Sequence, residues 1–545
     1  MSESTRRDLL RTGAAAASAA PAAALAGSWW DAARAAPAAP ATVAGDGAFG
    51  PVTVGPDDPR YRSLARRGYN HRFASQPDQI RLVGSTEDVV RAVDDALRTG
   101  RRVAVRSGGH CFEDFVDHPS TEVVIDLAGM RDVGYDPRRD AFSVEPGATL
   151  GEAYRRLFLG WGVTVPGGTC PDVGAGGHIA GGGYGALCRM YGLTVDHLQA
   201  VEVVVADRSG RARSVVATRE RTDPHHDLWW AHTGAGGGNF GVVTRYWFRS
   251  PDAPRGADPG ELLPRPPATV LSYSLDWRWA DLDETAFVTL MRNYGRWGER
   301  NSAPGSPAAP LYGEFVLAAA PGETIGIAGQ VAAEGAAALR LLDDLEGALS
   351  SGVGARPVRQ AVTVPWLTAA MLGSGGEPVP YDSRMKIKSG YRRRGLTDRQ
   401  LATLHRYLTD PASPYGHVFV NTYGGRVNAV SPGATAMPHR DSVFLVGFLA
   451  GWQGSGEDAR QLRWIRELYA DVYAASGGVP AGADDDGTFI NYPDNDLADP
   501  RHNASGTPWH ELYFKDGYAR LQRVKHRWDP HNVFHHALSV GPTRQ

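Results

Sequence analysis

The sequence predicts an α+β protein of two or three domains, and three observations carry that expectation. At 545 residues the chain is too long for one hydrophobic core. Its first half alternates short β-branched runs with helical patterns, a rhythm shared by α+β and α/β folds. From about residue 250 the rhythm changes. Prolines at 251, 254, 259, 264, 266 and 267 make a linker-like stretch, and the strand-like segments beyond it are longer, as expected of an antiparallel sheet with flanking helices. Composition removes other classes. With 42% hydrophobic and 21% charged residues the chain is neither disordered, collagenous nor coiled coil. The net charge of −3 comes without a basic block, so no nucleic-acid partner is expected. The positive charge is nearly all arginine; lysine stands only at 386, 388, 515 and 525.

Each element follows from local pattern. Residues 80–83 read as a strand. Ser85 to Asp88 open a helix with Val89, Val90, Val93, Ala96 and Leu97 at helical spacing. Residues 102–106 form a second strand that runs straight into Ser107, Gly108, Gly109 and His110, and residues 123–127 form a third. Residues 141–144 read as a strand, 150–157 as a helix, and 201–206 as a strongly β-branched strand closed by a turn at 207–210. Past the prolines, strands are expected at 269–275, 311–318 and 443–449, and helices at 285–297, 336–349 and 461–475. No repeat and no membrane-spanning stretch is found.

The N-terminus reads as an address. Arg6-Arg7 precede an alanine-rich stretch at 14–26, then small residues and prolines at 35–41. This resembles a twin-arginine export signal, and the apolar run is too short for a bilayer, which takes roughly 20 residues. A disordered Ala/Pro-rich tail is the alternative. The expected division is a leader at 1–45, a first domain at 46–255, a second at 256–499, and a C-terminal segment at 500–545 returning to the first.

Three cysteines, Cys111, Cys170 and Cys188, are too few for a disulfide framework, although one disulfide is compatible with the count. Each lies in or beside a glycine-rich motif, which points to cofactor chemistry. Cys188 reads as a small buried hydrophobe, and Cys111 is open between the two roles. Residues 167–185 hold nine glycines in nineteen positions. Such a run lets many N–H groups converge on a pyrophosphate or an isoalloxazine ring. The strand and helix context of a nicotinamide-binding fingerprint is missing, and so is the Gly-Lys-Ser/Thr of a phosphate loop.

Taken together the motifs are specific. Arg106-Ser107-Gly108-Gly109-His110 is followed by Gly168-Thr169-Cys170-Pro171-x-Val173-Gly174, Gly181-Gly182-Gly183-Tyr184-Gly185, Asp227-Leu228-Trp229-Trp230 and Gly236-Gly237-Gly238-Asn239-Phe240-Gly241-Val242-Val243-Thr244. Near the end come Asn491-Tyr492-Pro493-Asp494 and Asp529-Pro530-x-Asn532-Val533-Phe534. The set, from about residue 75 to the C-terminus, resembles the berberine bridge enzyme-like family within the vanillyl-alcohol-oxidase group. The resemblance implies a PCMH-type, two-subdomain FAD-binding domain and a substrate domain. It implies FAD bound covalently twice, with His110 on the flavin 8α-methyl and Cys170 on C6; both are nucleophiles able to add to an electron-poor ring. It places Arg106, Ser107, Gly108, Gly109, Gly174, Gly176, Gly177, His178, Gly183, Gly241, Val243, Asn491 and Asn532 around the cofactor, with His178 supporting the flavin loop, and Val173 at the oxygen gate. It makes Tyr492 the base and brings Tyr184 to the pocket.

A tyrosine with an ordinary pKa near 10 needs nearby positive charge or hydrogen bonds to act as a base, and Lys386 and Lys388 are the candidate neighbours. No metal is expected. His110 and Cys170 lack further ligands at zinc-like spacing, and the cluster at 223–227 reads as a solvated turn. The expected function is a secreted FAD oxidase that uses dioxygen and releases hydrogen peroxide. Its expected substrate is a hydroxyl-bearing small molecule, foremost the deoxysugar of an antibiotic glycoside such as an anthracycline. Alcohol would become ketone, with a following desaturation open. The alternatives are a mono- or oligosaccharide oxidase giving a lactone, an oxidative cyclase, a non-catalytic flavin protein, and a binding module without flavin.

Overall fold

A computed structural model describes residues 51–320, 322–372 and 382–542. The leader expected at 1–45 lies outside the described residues. Three sheets organise the chain. In the first, strands β1 (Val52–Val54), β2 (Gln79–Leu82), β3 (Val103–Arg106) and β4 (Val123–Asp126) lie in the order β1-β2-β4-β3, with β4 parallel to both β2 and β3. The helix Thr86–Thr99 crosses between β2 and β3. Ser85 caps it by accepting from Asp88 N, and Gly100 ends it in the left-handed conformation.

The second sheet is antiparallel. It holds β5 (Val133–Asp136), β6 (Ala141–Val144), β7 (Leu198–Ala206), β8 (Ala212–Thr218) and β9 (Val242–Phe248) in the order β5-β6-β9-β7-β8. The C-terminal helix Tyr518–Trp528 and the segment after it pack against this half. Buried Lys525 donates to Asn239 O and Asp529, and Phe534 joins Val204 and Val242 in a shared core.

The third sheet has seven antiparallel strands. They are β10 (Thr269–Arg278), β11 (Leu311–Ala318), β12 (Thr324–Val331), β13 (Val358–Pro365), β14 (Ser383–Arg392), β15 (Gly416–Thr422) and β16 (Phe444–Gln453), in the order β13-β10-β12-β11-β15-β16-β14. Helices Glu284–Asn301, Gly335–Ser350, Asp398–Thr409 and Asp458–Val472 pack on one another and cover one face. The other face turns Ile387, Leu449, His417, Phe419, Asn421, Glu314 and Tyr312 toward the cavity. The expected strands at 311–318 and 443–449 and the three expected helices are present within a few residues. β14 escaped the sequence reading because four cations interrupt it: Arg384, Lys386, Lys388 and Arg392. All its residues except Arg384 are nevertheless buried.

Candidate active site

A cavity of about 1330 Å³ lies between the cofactor-type loops and the open face of the third sheet. β3 delivers the first loop. Arg106, its last residue, is buried and pairs with Asp126 on β4 through Nε, 3.0 Å. Ser107 Oγ donates to Pro146 O at 2.6 Å. Gly108 and Gly174 meet where this loop crosses the loop of Cys170: a Cβ on Gly108 would stand 2.3 Å from Gly174 N. Gly109 takes φ +84°, a conformation that favours glycine. His110 stacks on Tyr69, ring centroids 4.4 Å apart, and burial brings its pKa down to about 4. Its imidazole is therefore neutral at pH 7, with a free lone pair.

Cys170 lines the same cavity, and its loop is held on both sides of Gly168. Gly168 N donates to His178 Nε2 at 3.1 Å, while Tyr154 Oη donates to Gly168 O at 2.7 Å. His178 lies in the short helix Ala175–Ala180. Burial puts its pKa at about 4, and its carbonyl accepts from Asn491 Nδ2 at 3.0 Å. Burial pushes the Cys170 thiol above its usual value. Gly174, Gly176, Gly177, Val173, Gly241, Val243 and Asn491 all contribute to the wall.

Tyr492 enters from the Asn491-Tyr492-Pro493-Asp494 turn, edge-on to Phe112, Phe419 and Phe489 at centroid distances of 5.9, 5.9 and 5.3 Å. Tyr184 also lines the cavity, and its hydroxyl donates to Thr422 O. Burial raises both phenols. For Tyr492 the carboxylate of Glu314 and then Cys170 add to the rise. The expected lysine neighbours are not there. Alternation along β14 puts Lys386 and Lys388 on the opposite face from Ile387, away from Tyr492. Lys386 pairs with Glu113 and, at 2.6 Å, with Asp494; Lys388 pairs with Asp494 at 2.6 Å and Asp496 at 3.0 Å. This buried cluster joins the loop after His110, β14 and the turn carrying Tyr492. It fixes the turn that carries Tyr492 and leaves the phenol without a cation beside it.

Residues 77–211 match the FAD binding domain family and residues 488–541 the berberine and berberine-like family. The chain is 50% identical to aclacinomycin-N/aclacinomycin-A oxidase of Streptomyces galilaeus, over 90% of each chain. It belongs to the berberine bridge enzyme-like family. Hexose oxidase of Chondrus crispus is 30% identical, over 89% of this chain and 94% of that one. A solved glycopeptide hexose oxidase complexed with teicoplanin shares 51% identity with a TM-score of 0.87, over 91% of this chain and 99% of that one. This member of the family is thus an FAD-dependent oxidoreductase with a PCMH-type FAD-binding fold.

Its residues fit that cofactor. Gly177 and Gly237 line the cavity with nothing within 4 Å of a Cβ position, so backbone there is open to a ligand. Arg106 lines it too, with its buried guanidinium held by the ion pair from Nη2 to Asp126 at 3.0 Å.

Two expected contacts are absent from the wall. Gly183, at φ +71°, makes the tight turn before Tyr184, where a Cβ would come within 2.3 Å of Thr194 Oγ1. Asn532, at φ +53°, forms the turn after the last helix; Phe534, His535 and His536 reach the cavity instead. All three cysteines are free, so the disulfide alternative fails. Cys188 is buried and donates to Pro166 O, while Cys111 lines the cavity. The turn at 223–227 is held by Asp223, which accepts from Thr218 and His225. Among the described residues no cluster suits a metal.

Sequence reasoning missed the sheet wall. Tyr312 Oη donates to Asn421 Oδ1 at 3.0 Å, Asn421 hydrogen-bonds Glu314, and burial pushes the Glu314 carboxyl up to about 7. The one available signal was a glutamate alone in the apolar run 311–318.

Proposed function

We propose that this enzyme is an exported oxidase of a hydroxyl-bearing sugar on an antibiotic-like glycoside, turning alcohol into ketone, with FAD attached through both His110 and Cys170. The observation that carries the reading is the convergence of His110, Cys170 and Tyr492 on one cavity. Among the relatives, one is named an oxidase of aclacinomycin and another is a glycopeptide hexose oxidase solved with teicoplanin. The cavity exceeds the ~300–1,000 Å³ usual for one drug-sized ligand, which leaves room for substrate beside the cofactor.

When bound, FAD supplies the acceptor for two electrons from the substrate carbon and hands them to dioxygen as hydrogen peroxide. The protein's own part is orientation and proton handling. His110, neutral and in the cavity wall, would hold the flavin through its 8α position. His178 and Tyr154 hold Gly168, and so fix the loop from which Cys170 would hold the flavin at C6. Val173 in the wall keeps a compact side chain where dioxygen must approach. Tyr492 receives the proton of the substrate hydroxyl. Its phenol is protonated at rest, so it works only when charge in the cavity changes or its own proton moves on. Tyr184 is available for a second proton abstraction, a desaturation. Arg6-Arg7 and the alanine-rich stretch behind them support export of the folded, flavin-loaded protein.

The decisive experiment has two arms. Acid-precipitated protein should give a yellow pellet that turns colourless in the His110→Ala/Cys170→Ala double variant; a colourless wild-type pellet defeats covalent attachment. A panel of free sugars and glycosylated anthracyclines, read by peroxide release, should favour the glycosides. Preference for free sugars with lactone products would overturn the substrate class.

A further inference from the structure

The sheet wall carries a carboxylate that the chemistry above leaves unused. Glu314 extends from β11 into the cavity, in register with Asn421 on β15, whose side chain hydrogen-bonds it. Among the described residues no arginine or lysine pairs with Glu314. That sets it apart from Asp126, Asp494 and Asp496, which are all paired with cations. Glu314 is half-buried, and a carboxylate partly withdrawn from water without a cation is costly to keep ionised. Its surroundings are aromatic. The charge of Glu314 is felt at Tyr312 and Tyr492, and Phe419, on the same face of β15 as Asn421, packs edge-on to Tyr492. A carboxylate beside aromatic rings is an environment that suits a substituted ammonium.

We propose that Glu314, with Asn421 and the rings of Tyr312, Tyr492 and Phe419, forms a subsite for a protonated amine on the substrate. The favoured substrate is then an aminosugar glycoside or another alkylammonium-bearing alcohol, ahead of its neutral counterpart. The inference rests on reading the cavity as the substrate site. Position supports a binding role: Glu314 stands on the sheet wall of the cavity and Cys170 on the loop wall, so the carboxylate is suited to a part of the substrate other than the reacting carbon. The arrangement also answers what can activate Tyr492. An ionised Glu314 holds the phenol protonated; an ammonium seated against the carboxylate offsets that repulsion. The substrate supplies the positive charge that Lys386 and Lys388 do not.

The test uses the holoenzyme and two glycosides that differ only in an amine or a hydroxyl on the sugar. Binding is read by perturbation of the flavin absorbance in a Tyr492→Phe background, where turnover does not consume the ligand. The amine is expected to bind about ten-fold tighter or more. Adding Glu314→Gln should remove that difference with the flavin spectrum intact, and Glu314→Asp should retain part of it. With Tyr492 present, the amine should also be oxidised with the higher kcat. Equal affinity for the two ligands overturns the subsite, as does no binding of the amine, or an equal loss for both ligands in Glu314→Gln. Charge-selective binding without peroxide release would keep the subsite and defeat the oxidase reading. Peroxide release without charge preference would do the reverse.

Discussion

On the cofactor side of the cavity, backbone comes to the surface at one glycine after another, and the loops of His110 and Cys170 cross where no Cβ fits. Across the cavity, on β11, β14, β15 and β16, side chains alternate between two faces, one lining the cavity and one buried under helices. The first wall is defined by where the main chain can go. The second is defined by which residue falls on which parity of a strand. A backbone wall tolerates almost no change at its crossing points, whereas a side-chain wall can be rewritten residue by residue, which is where substrate choice belongs.

The comparison can be broken most sharply at Gly174. A Cβ there would stand 2.2 Å from Gly108 N, between two backbones that cannot yield. Gly174→Ala should lose nearly all bound flavin, read as the ratio of visible to 280 nm absorbance; full flavin content would refute the crossing as the organising contact. Tyr492→Phe comes next, with kcat falling by about 10²–10⁴-fold while the flavin spectrum persists. Unchanged turnover would sink the base assignment. Lys386→Met leaves Glu113 and Asp494 with one cation fewer, and should cost about 3–5 kcal/mol in urea unfolding. Glu113→Gln in the same chain should restore part of that stability.

The smallest effect is a pH dependence at Glu314. Burial raises its folded-state pKa from 4.5 to about 7. Its contribution is therefore complete below pH 4.5 and lost as pH rises through 7. The groups facing it are Asn421, Tyr312 and Tyr492, with His417 neutral on β15. Glu314→Gln should gain about 1–3 kcal/mol over wild type at pH 8 and little at pH 4. Parallel pH curves would show that the half-buried carboxylate keeps its ordinary pKa.

The cofactor wall was legible because it depends on local sequence. Arg106 to His110 follow directly from a strand end, and nine glycines in nineteen residues announce close backbone approach. Gly183 and Asn532, which the resemblance places around the cofactor, stand in turns at positive φ and outside the cavity wall. β14 was hidden because its two lysines are stabilised by carboxylates a hundred or more positions away in sequence, Glu113, Asp494 and Asp496.

By itself the sequence determined the α+β class, the FAD-binding loops, and the residue types of His110, Cys170 and Tyr492, since each is encoded within a few neighbouring positions. The tertiary structure alone decided that Lys386 and Lys388 face carboxylates and not Tyr492, and that Glu314 stands unpaired in the cavity. Strand register and sheet order set those facts, and both arise from pairings between segments far apart in the chain.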